Sequence, residues 1–173
     1  ISSHTSIDCQ ERGYYRMHIG GITKNTLLDY PGRVAAAVFT AGCNLRCLFC
    51  QNSSLVEGLI PEIREADVLA FLEKRKGQLS GVCITGGEPT LQPDLADFIR
   101  RVRELGYAVK LDTNGFEPKV LKNLASEGLV DYIALDIKTG REQYRELCNT
   151  DIDLAKIEES AELLISGAFP DYE

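Results

Sequence analysis

Residues 34–50 read Val34-Ala35-Ala36-Ala37-Val38-Phe39-Thr40-Ala41-Gly42-Cys43-Asn44-Leu45-Arg46-Cys47-Leu48-Phe49-Cys50. The run Val34 to Phe39 is apolar without alternation and contains β-branched and aromatic members. That pattern predicts a short strand covered on both faces. It ends in a loop that carries three thiols within eight residues, at the spacing C-x3-C-x2-C.

Outward from this stretch the apolar period alternates between two kinds. Val68, Leu69, Phe71 and Leu72 predict one face of a helix that stops at Gly77. Val82-Cys83-Ile84 predicts a second buried strand, closed by Gly86-Gly87. Leu95, Phe98, Ile99, Val102 and Leu105 recur at helical spacing, with Pro93 placed in the first turn and Gly106 after the end. Ala108 to Leu111 predicts a third strand, ended by Asp112-Thr113-Asn114-Gly115. Val120, Leu121 and Leu124 predict a short helix closed by Gly128, and Tyr132 to Leu135 a fourth strand ended by Asp136-Ile137-Lys138. A last helix places Leu154, Ile157, Ala161, Leu164 and Ile165 on one side. About four βα units of this kind specify an α/β fold with a parallel sheet and right-handed crossovers. In such folds chemistry gathers beyond the carboxyl ends of the strands. Each predicted strand delivers something polar or metal-binding there.

Composition narrows the classes. Apolar residues make up 44% and charged residues 26% of the 173, which excludes disorder and collagen-like structure. The formal net charge of −7 argues against a nucleic-acid binder. No apolar run approaches the roughly 20 residues of a membrane span, so no membrane partner is expected. Of six cysteines, three cluster at 43–50 while Cys9, Cys83 and Cys148 are scattered. That distribution reads as intracellular metal chemistry, and hence a cytoplasmic protein, rather than a secreted disulfide scaffold.

Three thiolates on one short loop can surround a metal centre. A closed structural zinc site wants four ligands, and no fourth stands nearby. A four-iron cluster held by three thiolates leaves one iron open, whereas ordinary electron-transfer clusters have four cysteines. A zinc knuckle with a distant fourth ligand, or three incidental thiols, are the competing readings. Cys83 reads as a small core residue and Cys148 as incidental.

The pattern C-x3-C-x-aromatic-C at the end of a first strand resembles the signature of the radical S-adenosylmethionine (radical SAM) enzymes. More narrowly, the chain resembles the activating enzymes of glycyl radical enzymes, above all the activating protein of anaerobic ribonucleoside-triphosphate reductase. The stretches that carry the resemblance are Thr26 to Gly32, Ala41 to Asn52, Thr85 to Gln92, Leu111 to Gly115 and Ala134 to Lys138. It implies a partial (βα)6 barrel, a [4Fe-4S] cluster on Cys43, Cys47 and Cys50, and S-adenosylmethionine on the open iron. Gly86-Gly87-Glu88 is similar to the element that receives the methionine amino group, and the alternative is a plain strand-to-helix turn. Asp112 and Lys138 match positions that contact the methionine part. Asp136 and Thr113 match residues that in one branch hold a monovalent cation. Phe49 is expected near the adenine, or else in the core. Asp29 and Gly32 match a stretch facing the partner's glycyl loop, or else simply form a turn.

The chemistry implied is reductive cleavage of S-adenosylmethionine to a 5′-deoxyadenosyl radical. The radical then takes hydrogen from a glycine of a partner enzyme, with flavodoxin or ferredoxin as electron donor. A radical SAM enzyme acting on a small molecule, similar to the deazaguanine synthases, is the second reading. An inactive metal-binding fragment is the third. Met17 is expected as the start, with residues 1–16 a non-native or upstream extension and 17–173 the core domain. The last residues fall where another strand is due, so the core reads as incomplete at its carboxyl end. Such a chain is expected to bind a cluster but turn over poorly.

Overall fold

A computed structural model of the chain describes residues 17–58 and 60–173. Residues 1–16, with Cys9, lie outside the described residues. One sheet runs in the order β1 (Ile19–Thr26), β2 (Ala35–Thr40), β3 (Gly81–Gly86), β4 (Ala108–Thr113), β5 (Tyr132–Leu135). The helices are α1 (Ser53–Glu57), α2 (Glu65–Lys74), α3 (Leu95–Glu104), α4 (Pro118–Ser126), α5 (Tyr144–Cys148) and α6 (Leu154–Ile165). Strands β2 to β5 are parallel, as the strand–helix alternation requires.

The first strand was not expected. β1 pairs antiparallel with β2, so the sheet is mixed at this edge. Its β-branched residues are interrupted by Gly20-Gly21 and Lys24-Asn25, which strands disfavour, but Ile19 is fully buried and Ile22 packs on the core. Gly20 leaves room for the ends of the Ile60 and Leu55 side chains, which would lie 1.9 and 2.6 Å from a Cβ there. Three smaller expectations also change. Val34 precedes the strand and is exposed, Ile165 points to solvent, and Pro93 sits before the Asp94 N-cap of α3 rather than within its first turn.

Alternate residues of a strand face opposite sides, and the register aligns these sides across the sheet. One side presents Ala36, Val38, Val82, Ile84, Val109, Leu111 and Ile133 to the helices, where Phe98, Ile99 and Val102 of α3 and Leu121 and Leu124 of α4 complete the main core. Burying each large member stabilises the fold by about 1.5–3 kcal/mol. The other side carries Ala37, Cys83, Lys110 and Tyr132 in one row, with Ala35 and Gly81 alongside. Tyr30 covers its amino end: a Cβ on Gly81 would come within 2.8 Å of the Tyr30 ring. Tyr30 is held by a turn in which Arg33 N–H donates to Tyr30 O at 3.2 Å, with Gly32 at φ +71° in the third position. That is the type II geometry glycine favours.

The predicted fourth strand is not bare at its outer edge. Ile133 N–H donates to Asp171 O and Glu173 N–H to Ile133 O, and Tyr172 bridges Ile133 in parallel. The carboxyl end therefore enters the sheet where the sequence led us to expect a strand.

Candidate functional site

The cysteine loop leaves β2 at Thr40 and is pinned from outside. Arg46 N–H donates to Cys148 O and Leu48 N–H to Leu147 O, both at 3.0 Å, so the loop lies along the end of α5. Leu45 is buried with Tyr144, Cys148 and Ile157 in a second apolar cluster. The Arg46 guanidinium donates to the carbonyls of Cys43 (2.6 Å) and Leu45 (2.8 Å), so it braces the loop. Leu45 N–H donates to Cys43 Sγ at 3.4 Å. Burial pushes the Cys43 thiol up, and the Leu45 N–H opposes that shift.

Cys43, Cys47 and Cys50 line one wall of a cavity of about 590 Å³ at the carboxyl ends of the parallel strands. The other predicted site residues line the same cavity: Phe49 on the loop, Gly86, Gly87 and Glu88 after β3, Asp112 and Thr113 from β4, and Asp136 and Lys138 after β5. Phe49 is half exposed, so the core alternative does not hold.

Gly86 and Gly87 are more than a turn. A Cβ on Gly87 would stand 2.0 Å from Gly42 O, and one on Gly86 2.4 Å from Thr40 N. The two backbones touch and bond there, Gly87 N–H to Thr40 O and Glu88 N–H to Gly42 O, each at 2.8 Å. The glycines thus let the end of β3 lie flush against the root of the cysteine loop.

The Glu88 carboxylate, in the element expected to receive an amino group, is 1% exposed and accepts several hydrogen bonds. Oε1 takes the N–H (3.0 Å) and hydroxyl of Thr90 and the Thr113 hydroxyl at 2.7 Å, while Oε2 takes Asn114 N–H at 2.8 Å. Burial raises its pKa, and these donors pull against that rise. Glu88 therefore joins the ends of β3 and β4.

Asp112 is half-buried and pairs with Lys110 Nζ at 2.8 Å, and Cys83 Sγ donates to its other oxygen at 3.4 Å. Lys110 is 5% exposed, also meets Glu173 at 3.1 Å, and lies 5.6 Å from the Tyr132 ring centroid. Burial opposes its charge, but Asp112 and the other anions outweigh burial and hold its pKa above the usual lysine value. Asp136 and Lys138 form an ion pair, and Lys138 N–H donates to Tyr144 Oη at 3.0 Å. Here too burial is overcome by the neighbouring carboxylate, and the lysine stays charged.

Sequence reasoning passed over Lys110 and Asn114. The signal for Lys110 was present: a lysine inside an apolar strand, two residues before an aspartate, shares that aspartate's face and needs it as a partner. Cys83 is buried on the sheet, its thiol raised by burial, in keeping with a core role. Cys148 is not an incidental residue of a polar helix. It is fully buried against the loop, and burial first, then the Cys47 sulfur, push its thiol up to about 12.

The donor set suits an iron–sulfur cluster. Three free thiols face one cavity, and the cavity lining contains no histidine. A cluster offers each of three thiolates its own iron. Asn44 Nδ2 is buried beside Cys43 without a partner among the described residues, an unmet donor fit for an acceptor that a bound group supplies.

Comparison with known proteins agrees with this donor set. The model of the Radical SAM superfamily matches residues 37–171. A protein of Methanocaldococcus jannaschii named as a glycyl-radical enzyme activating enzyme is 35% identical over 135 residues, covering 74% of this chain and 53% of its own length. A GTP 3′,8-cyclase by name, from Pyrococcus abyssi, is 30% identical over 133 residues, 73% of this chain and 42% of its own. A 7-carboxy-7-deazaguanine synthase of Thermococcus kodakarensis is 30% identical over 128 residues, 62% of this chain and 50% of its own. The chain spans about half the length of the curated relatives it matches. The crystal structure of QueE from Escherichia coli shares the fold, with a TM-score of 0.52, 16% identity and coverage of 91% of this chain and 94% of that one.

Proposed function

Because the chain belongs to the radical SAM superfamily, whose cofactors are a [4Fe-4S] cluster and S-adenosylmethionine, we propose that it is the cofactor-binding core of a glycyl radical enzyme activating protein. The partner is anaerobic ribonucleoside-triphosphate reductase, and flavodoxin or ferredoxin is the electron donor. One observation carries the reading: cysteines, glycines, carboxylates and lysine from four successive strand ends face a single cavity. When bound, the cofactors supply one-electron cleavage of a carbon–sulfur bond and the hydrogen-abstracting radical.

The chain's own residues bind, orient and shield. Cys43, Cys47 and Cys50 hold the cluster. Lys138, a charged lysine on the cavity wall, meets the carboxylate of the methionine part, and Asp112 and the Gly86–Gly87 backbone take its amino side. Thr113 and Asp136 border the place of a monovalent cation. Phe49 offers an apolar face to the adenine, and the loop pinned on α5 keeps water from the cluster side. A reducing cytoplasm keeps the three thiols free for metal.

The activating enzyme is favoured over a small-molecule enzyme by the relative from M. jannaschii, which matches 74% of this chain at 35% identity. The stretches Leu28 to Gly32 and Asp112 to Gly115 favour it too. The similarities to the cyclase and the deazaguanine synthase support the second reading. The test is anaerobic reconstitution with iron and sulfide, followed by incubation with S-adenosylmethionine, a reductant and anaerobic ribonucleotide reductase. A glycyl radical doublet by electron spin resonance is expected. A preparation that forms 5′-deoxyadenosine but no doublet favours the small-molecule reading, and one that holds only zinc sinks both.

A further inference from the structure

Asn114 is buried at the end of β4. Its N–H donates to Glu88 Oε2 at 2.8 Å, its Oδ1 accepts from Phe116 N–H at 3.0 Å, and its Nδ2 donates to Asn44 Oδ1 at 2.8 Å, with Cys43 Sγ at 4.0 Å. The Phe116 N–H can only donate, so it fixes which end of the amide is oxygen. The amide's donor end must then face the cysteine loop. Behind it, Thr90 and Thr113 hold the Glu88 carboxylate in place. A line of contacts thus runs from the buried carboxylate, through the main-chain N–H and then the side-chain amide of Asn114, to Asn44 and the first cysteine.

We propose that Asn114 is a positioning residue for Cys43: the relay Glu88–Asn114–Asn44 fixes that sulfur's place, and the Asn114 amide, by donating towards it, raises the midpoint potential of the cluster. This rests on the reading that Cys43, Cys47 and Cys50 are the cluster's ligands. Reduction adds negative charge to the cluster and its sulfurs, so a donor aimed at a ligand sulfur stabilises the reduced form more than the oxidised. Nδ2 carries two N–H groups, one held by Asn44 Oδ1 at 2.8 Å and the second turned towards Cys43 Sγ at 4.0 Å. Asn114→Asp is nearly isosteric and keeps the Phe116 and Glu88 bonds, but it turns an oxygen towards Asn44 and the sulfur.

The test uses the full chain, reconstituted anaerobically, with iron content and an electron spin resonance redox titration as readouts. Asn114→Asp is expected to lower the ratio of reduced to oxidised cluster at a fixed potential about tenfold, equivalent to about 59 mV for a one-electron couple. Asn114→Ala shifts it the same way by less. Asn44→Ala, which removes the acceptor that orients the amide and spares the buried asparagine, shifts it the same way as Asn114→Ala by loosening the donor that faces Cys43. The losses of iron to a chelator in Asn44→Ala, Asn114→Ala and the double variant are non-additive. The inference is overturned if the Asn114 variants hold iron at the wild-type potential. Should they fail to fold, an unshifted potential in Asn44→Ala overturns it instead. Cys43→Ala separates the two readings: wild-type iron content there sinks the ligand assignment itself. Iron loss there together with unshifted Asn variants sinks only the relay.

Discussion

Replacing Gly87 by alanine adds one methyl group and nothing else, which makes it a clean probe of how the site is assembled. Gly87 is not among the glycines with positive φ, so no left-handed strain is involved. The methyl would lie 2.0 Å from Gly42 O and 2.7 Å from Gly42 C, and backbone has little room to yield. The end of β3 must therefore move away from the cysteine loop and give up the two bonds at 2.8 Å to Thr40 O and Gly42 O. Each such bond is worth about 0.5–1.5 kcal/mol, and overpacking adds about 1–3 kcal/mol. We expect a loss of about 3 kcal/mol, or roughly 6–12 °C in Tm for a chain of this size. Gly140→Ala is the control, since it has nothing within 4 Å and no positive φ. Urea unfolding of the cluster-free proteins measures the stability difference, and iron content after reconstitution reports on the site. If Gly87→Ala unfolds within about 1 kcal/mol of the control and retains wild-type iron, the contact between the two backbones is not what joins these elements.

Alanine at Cys43, Cys47 or Cys50 is expected to reduce iron bound on reconstitution severalfold, while Cys83→Ala leaves it near the wild-type level; iron counting distinguishes them. Lys110→Met leaves Asp112 half-buried and without its ammonium, and breaking a buried pair costs about 3–5 kcal/mol, measurable by urea unfolding. Because the lysine's pKa is raised on folding, its contribution is complete below the unfolded value of about 10.4 and fades as pH climbs above it. The gap between Lys110→Met and wild type should therefore be constant from pH 7 to about pH 10 and narrow in stronger alkali; a gap that closes below pH 9 would contradict the pairing.

Much of this was legible in the residues. β2 to β5 and the four longer helices show as runs and periods because each buries a continuous apolar face. β1 did not show, since Gly20-Gly21 and Lys24-Asn25 interrupt its β-branched residues, and the strand pairs with β2 through register shifts at those places. α1 and α5 span five residues each, too few for a helical period to register. At the site, local motifs named residues that line one cavity but not the partners each has there. Glu88 looked available because two of its donors, Thr113 and Asn114, come from the end of β4, 25 and 26 residues away in sequence. Cys148 looked incidental because its helix is polar in sequence and buried only by the loop folded over it.

The division between core and cavity lining has a bearing on descent with modification. The helix-facing side, filled by branched aliphatic residues, holds the fold together, whereas the cavity at the carboxyl ends is lined by residues outside that core, Val56, Thr85 and Ala134 among them. Enlarging or charging a position in that lining reshapes what the cavity holds while the helix-facing residues stay as they are. Such a scaffold exchanges one guest molecule for another by changes to a few lining side chains, with its framework left alone.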